Sequence, residues 1–159
     1  MANIILIAAI GKNRELGKNN DLIWHLKEDL KFFKEATMNH IIVMGYNTFK
    51  SLPKLLPGRK HIILTHRDIN SDGVQVFHNM EELLTYLNSL DEDVYIIGGA
   101  SIYEQFIPYA NELLLTEIDA ECFEADVYFP VWKEEDYIKE KIKDIDGDIS
   151  YSHIRYRRK

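Results

Sequence analysis

Apolar and polar positions follow two different rhythms along this chain, and the switches between them lay out its elements. An apolar run at residues 4–10 has the length of a strand buried on both faces. No stretch approaches the roughly 20 apolar residues of a membrane helix. The polar, Gly-punctuated segment 11–21 keeps neither period and is expected to be a loop. Over residues 26–37 the rhythm becomes helical, with Leu26, Leu30, Phe33 and Thr37 on one face. Further apolar runs predict strands at 41–44, 60–65, 74–77 and 94–97, the last ended by Gly98-Gly99. Helices are expected at 48–52, at 80–89 behind an Asn79 N-cap, and at 101–107. The Pro57-Gly58 pair suits a type II turn. Strands at 112–118, 127–129, 137–142 and 151–157 complete the chain. Alternating βα units followed by a strand-rich tail imply an α/β fold. We expect a single domain over residues 1–159: a mostly parallel, twisted central sheet of about eight strands with an antiparallel C-terminal edge, flanked by about four helices.

Composition narrows the setting. With 46% hydrophobic and 11% aromatic residues in 159, the chain can bury one core without support. Its net charge of −7 disfavours nonspecific binding to nucleic acid or to an anionic membrane, so an anionic ligand needs local cations. Cys122 is the one cysteine and cannot form an internal disulfide, and no Cys/His pairs stand at zinc spacing. A cytoplasmic protein with no metal is expected, with a monomer as the default.

Several residues could carry chemistry. Asp29 borders the apolar stripe of the first helix, where an unpaired carboxylate is costly. Taken alone, the helix favours a structural Asp bonded to a neighbour. The functional reading is a carboxylate awaiting a ligand edge with two N–H donors. Trp24 is a core anchor or the wall of a pocket with segment 11–21 as lid. The junctions Met44-Gly45-Tyr46-Asn47-Thr48 and Ile97-Gly98-Gly99-Ala100-Ser101 put small or capping residues at helix starts, where an anion can meet backbone N–H groups. Neither is GxGxxG or a P-loop, and each could be a plain cap, yet two at strand C-termini suit one extended dinucleotide. Arg59 could clamp a carboxylate, and His66 and Arg67 could meet the adenosine end; all three could equally be solvated charges.

Taken in order, Ile7-Ala8-Ala9, Leu16-Gly17, Trp24, residues 29–33, Met44-Gly45, Thr48, Leu56-Pro57-Gly58-Arg59, Ile97-Gly98-Gly99, Ile102-Tyr103 and Leu115-Thr116 closely resemble bacterial dihydrofolate reductase over nearly the whole chain. The resemblance implies reduction of 7,8-dihydrofolate by NADPH, with hydride passing to C6 of the pterin and a proton to N5, in a family that is an antifolate target. It implies catalytic roles for Asp29, Trp24 and Thr116, with Asp29 holding the pterin 2-amino group and N3. The proton is expected from solvent, because no second acid is apparent beside Asp29. Substrate would also meet Ile7, Leu30, Phe33, Ser51, Leu52, Leu56, Arg59 and Ile97, with Arg59 on the glutamate carboxylate. Cofactor contacts would come from Ala9, Leu16, Gly17 and Asn20 at the nicotinamide. Gly45, Tyr46, Asn47, Thr48, Ile97, Gly98, Gly99, Ala100, Ser101, Ile102, Tyr103 and Gln105 would surround the phosphates. Thr65, His66, Arg67 and His78 would take the adenosine end. The Gly98-Gly99 peptide is expected to be cis.

Three departures bear on the cofactor and the lid. Ile23 stands where many relatives have Pro. Tyr46 stands where Arg is frequent, Ser101 replaces another frequent cation, and His78 fills a position that is Lys in some relatives. Recognition of the 2′-phosphate then falls more heavily on His66 and Arg67. Two other readings stay open: a reductase of the same fold acting on another pterin or pyrimidine, and a noncatalytic nucleotide-binding module.

Overall fold

The long apolar runs become strands covered on both faces. A computed structural model describes residues 1–19 and 21–159. Its elements are β1 (Asn3–Ile10), β2 (Glu15–Lys18), β3 (Asp21–Leu22), α1 (Lys27–Thr37), β4 (Ile41–Gly45), α2 (Tyr46–Ser51), β5 (Lys60–Leu64), β6 (Val74–Phe77) and α3 (Met80–Asn88). They continue with β7 (Asp93–Gly98), α4 (Ala100–Phe106), β8 (Glu112–Ile118), β9 (Val127–Tyr128), β10 (Tyr137–Ile145) and β11 (Tyr151–Arg158). Eight strands form one sheet in the order β10-β11-β8-β1-β7-β4-β5-β6. Pairs from β8 to β6 are parallel, while β11 and β10 add antiparallel. The expected architecture holds.

Strand alternation divides the core. On one face Leu6, Val43, Ile62, Ile96 and Leu115 pack under α3 and α4, whose Leu83, Leu87 and Phe106 are fully buried. On the other, Ile5, Ile7, Ile42, Met44 and Ile63 meet Phe32, Phe33 and Ala36 of α1 and Phe49 of α2. Asn79 caps α3 by accepting from the Glu82 N–H at 2.8 Å. Gly58 has φ +79, as the type II turn requires.

Two expectations are corrected. Segment 11–21 is not all loop: β2 pairs with β3 and β9 in a separate three-stranded sheet. Its strand pattern was hidden because the inward residue of β2 is charged. Glu15, 1% exposed, accepts N–H bonds from Asn13 and Cys122, each at 2.7 Å. The apolar face of α1 is also rotated from the one read in sequence. Phe32, Phe33 and Ala36 pack on the sheet, while Leu30 is 53% exposed because the helix covers the sheet with only one side. Helix and strand ends otherwise move by a few residues, as when α2 begins at Tyr46.

Candidate active site

The parallel strands bring their C-terminal ends and the following helix starts to one edge of the sheet, the position where ligands meet open α/β folds. Asp29 lies in the first turn of α1, whose N-terminal N–H groups favour an anion. Its side chain is 20% exposed. Thr116 of β8, buried, donates its hydroxyl to Asp29 Oδ1. His153 of β11 lies opposite Thr116 in the strand register, with Nδ1 3.0 Å from Thr116 Oγ1 and 3.9 Å from Asp29 Oδ1. Burial raises the Asp29 carboxyl above its usual range; the Thr116 hydrogen bond and the nearby imidazole partly offset this. A second ionisable group, the His153 imidazole, thus stands near Asp29, one the sequence reading did not name. His153 was missed because its closeness to Thr116 depends on pairing between distant strands.

Beside this group runs a cleft of about 1070 Å³. Its walls include Leu16, Gly17, Gly45, Tyr46, Asn47, Thr48, Thr65, His66, Arg67 and His78. They continue through Ile97, Gly98, Gly99, Ala100, Ser101, Ile102, Tyr103 and Gln105. Of the residues expected at the cofactor, Ala9 lies in β1 outside these walls, and Asn20 lies outside the described residues. Ser51, expected at substrate, instead shares this cleft and donates to the Thr48 carbonyl. Leu22, Asn79 and Met80 are additional wall residues.

The Gly98-Gly99 peptide is cis. A Cβ on Gly99 would meet only Thr48 Oγ1, at 3.8 Å, so the space between the starts of α2 and α4 is open to a ligand. Neither Gly45 nor Gly99 caps its helix with a side chain. At the far end, the Arg67 guanidinium lies 4.4 Å from the Tyr46 ring centroid, so the aromatic residue at 46 supports a cation rather than supplying one. His78 Nδ1 is 2.8 Å from the Thr65 carbonyl. Open cradle and cations together fit a phosphate-bearing dinucleotide.

Asp29, Thr116 and Arg59 are not walls of that cleft. Tyr103 links the two regions: its ring lines the cleft and its buried hydroxyl donates to the Ile7 carbonyl at 2.6 Å. Ile97 belongs to both the cleft and the α1-side cluster, where Ile7, Phe33, Leu52 and Leu56 also pack. Arg59 is half-buried, and its Nε is buried without a hydrogen-bond partner among the described residues. Burial lowers its pKa. His61 was missed by sequence reasoning and holds this corner. It accepts from the Leu56 N–H at 3.0 Å, so Nδ1 carries the proton and donates to the Arg59 carbonyl at 3.1 Å. Trp24 is half-buried, and a Cβ on Gly11 would come within 2.6 Å of both its ring and Glu15 Oε1.

The family model for dihydrofolate reductase matches residues 3–158. A dihydrofolate reductase from Bacillus subtilis is 37% identical over 161 residues, covering 98% of this chain and 95% of that protein. One from Neisseria meningitidis serogroup A is 36% identical over 165 residues, covering 99% of each. Among solved structures, the Enterococcus faecalis dihydrofolate reductase complexed with NADP(H) and RAB-propyl superposes with TM-score 0.84 at 33% identity, over 98% of this chain and 95% of that one.

Proposed function

This chain belongs to the dihydrofolate reductase family, and from that premise we propose how its residues divide the NADPH-dependent reduction of 7,8-dihydrofolate to tetrahydrofolate. The observation that carries the reading is a half-buried carboxylate, Asp29, supported by Thr116 beside a dinucleotide-sized cleft. Both protein contacts fall on Oδ1, which leaves Oδ2 for the 2-amino and N3 edge of the pterin. Ile7 and Ile97 flank the ring, Phe33, Leu52 and Leu56 line the aminobenzoyl channel, and Leu30 is its rim. NADPH, when bound, supplies the hydride for C6. Leu16, Gly17 and Leu22 close over the cleft and exclude water, with Trp24 fixing the base of that lid. Asp29 keeps its negative charge against the pterin as N5 takes a proton from water, so its contribution is orientation and electrostatic support.

Among the described residues no helix is long and apolar enough to cross a membrane. The reading takes residues 1–159 as one domain, monomeric and cytoplasmic, with no nucleic-acid partner. Oxidation of NADPH that depends strictly on dihydrofolate tests the function. Tight NADPH binding without turnover would favour the noncatalytic alternative.

Two residues set specificity. Arg59, with its unpartnered buried donor, takes the substrate's α-carboxylate. Arg59→Ala is expected to raise the dihydrofolate KM by about 10-fold or more, the scale of one charge-assisted pair. The KM for a pterin lacking the glutamate tail should barely move. Equal effects on both substrates would return Arg59 to a structural role and reopen the reading of a reductase for another pterin. Arg67, supported by Tyr46, carries the 2′-phosphate preference: Arg67→Ala should raise the NADPH KM far more than the NADH KM. Matching increases would remove it from 2′-phosphate recognition.

A further inference from the structure

We propose that His153 is a positioning residue of this site, joined to Asp29 through Thr116 in one proton-sharing unit that keeps Asp29 ionised into mildly acidic solution. The inference rests on the reading of Asp29 as the pterin-holding carboxylate.

Hydrogen-bond bookkeeping carries it. The Thr116 hydroxyl has one proton and donates it to Asp29 Oδ1. At the 3.0 Å contact with His153 it can then only accept, so Nδ1 must carry a proton. Ionised Asp29 is therefore compatible with an Nδ1–H imidazole or with imidazolium. A proton on Oδ1 would demand the opposite polarity, with the carboxyl donating to Thr116 and the Thr116 proton turning to a bare Nδ1, whereas a proton on Oδ2 leaves the first polarity intact. A proton arriving on the imidazole leaves the first polarity intact and adds a cation 3.9 Å from Asp29 Oδ1. A proton arriving on the carboxyl removes the charge that the Thr116 hydroxyl bond and the nearby imidazole both favour. The Thr116 hydroxyl and the imidazole thus both favour the charged carboxylate, and the two ionisable groups titrate as a coupled pair.

The surroundings hold the imidazole in place. Phe32 of α1 stacks on it at 3.8 Å between centroids and 9° between planes, and the Tyr151 ring meets it edge-on at 5.8 Å. The charged groups around it act in both directions. Burial is the largest influence and holds the imidazole below its ordinary range; Asp29 and Glu28 of α1 favour the cation, while Lys143, opposite it on β10, opposes it. Thr116 on β8 is the one uncharged polar neighbour in the chain of bonds.

The test is the titration of Asp29, followed by carboxyl carbon NMR in the ligand-free protein. It is compared in the parent, in His153→Gln, which can donate to Thr116 but cannot ionise, and in His153→Phe, which keeps the stack on Phe32 but loses both properties. The Asp29 midpoint should rise in both variants, by about half to one pH unit, the size expected for loss of a nearby compensating charge and hydrogen bond. The rise should be larger in His153→Phe. In turnover, the ratio of dihydrofolate KM in mild acid to that in mild base should increase in both. A residue that merely packs would leave His153→Phe with the parent titration, and an unchanged Asp29 midpoint in both variants overturns the proposal. The imidazole's own titration gives a second reading that needs no His153 variant: it should shift down in Asp29→Asn, and a fixed midpoint there also overturns it. None of these titrations requires turnover. Failure of the parent to reduce dihydrofolate would overturn the functional reading and leave the coupling standing.

Discussion

Replacing Asp29 with Asn is expected to slow hydride transfer near neutral pH by about a hundredfold or more, since the charge-assisted hydrogen bonds lost with the carboxylate contribute about 1.5–3 kcal/mol each. The amide keeps the size of the side chain and still accepts from Thr116, so packing between α1 and β8 should persist. The deficit should shrink in acid, where dihydrofolate arrives already protonated and needs less electrostatic help. Stopped-flow hydride transfer measured across pH checks this, and a profile parallel to that of the parent would remove Asp29 from its assigned role. Stability should move the other way. Burial raises the Asp29 carboxyl above its value in the unfolded chain. The folded state then holds the proton more tightly, so this group's contribution to stability is greatest in acid and declines as pH rises through the interval from the unfolded value to the raised folded value. At neutral pH the Asn variant should consequently be at least as stable as the parent, and its advantage should fade on acidification below that interval. Thermal melts at several pH values separate this outcome from general damage, which would lower stability at every pH.

Glu15→Ala is expected to cost about 1–3 kcal/mol of stability, because two partly buried N–H groups lose a buried charged acceptor and the exposed one at Asn13 can turn to water. The acceptor oxygens bridge Asn13, just before β2, and Cys122, in the stretch between β8 and β9. The next residues, Leu16 and Gly17, are walls of the cofactor cleft. Loss of the bridge should therefore raise the NADPH KM and slow hydride transfer as well as lower the urea midpoint. Glu15→Gln retains an acceptor oxygen for one N–H and turns an amide donor toward the other, so it should recover part of the stability. Unchanged cofactor affinity in a destabilised Glu15→Ala would restrict Glu15 to folding and separate it from the lid.

Both sites show how far the order of residues carries. Runs such as residues 41–44 and 94–97 are legible because strands buried on two faces need apolar residues at every position, and Asn79 announces α3 because its side chain serves the N–H groups three residues on. The cofactor junctions were legible for a similar reason: Gly45 and Gly98-Gly99 stand where strand turns to helix. Leu30 misled because helical spacing defines a face without saying which part of that face the sheet covers. Glu15 misled because burial of a carboxylate is tolerable only when backbone donors come to it, and one of its donors lies 107 positions away at Cys122.

Asp29 itself marks the division. The sequence alone determined a carboxylate beside an apolar stripe, the alternating βα order and the acidic charge that makes local cations necessary, since each depends on neighbours within a few turns or on composition. Only the tertiary structure decided what meets that carboxylate. Thr116 and His153 reach it through the pairing of β8 with β11, and Arg67 rests on Tyr46 from across two strand ends. The contact of Thr116 with His153 depends on strand register, where a shift of one residue would turn every side chain to the opposite face.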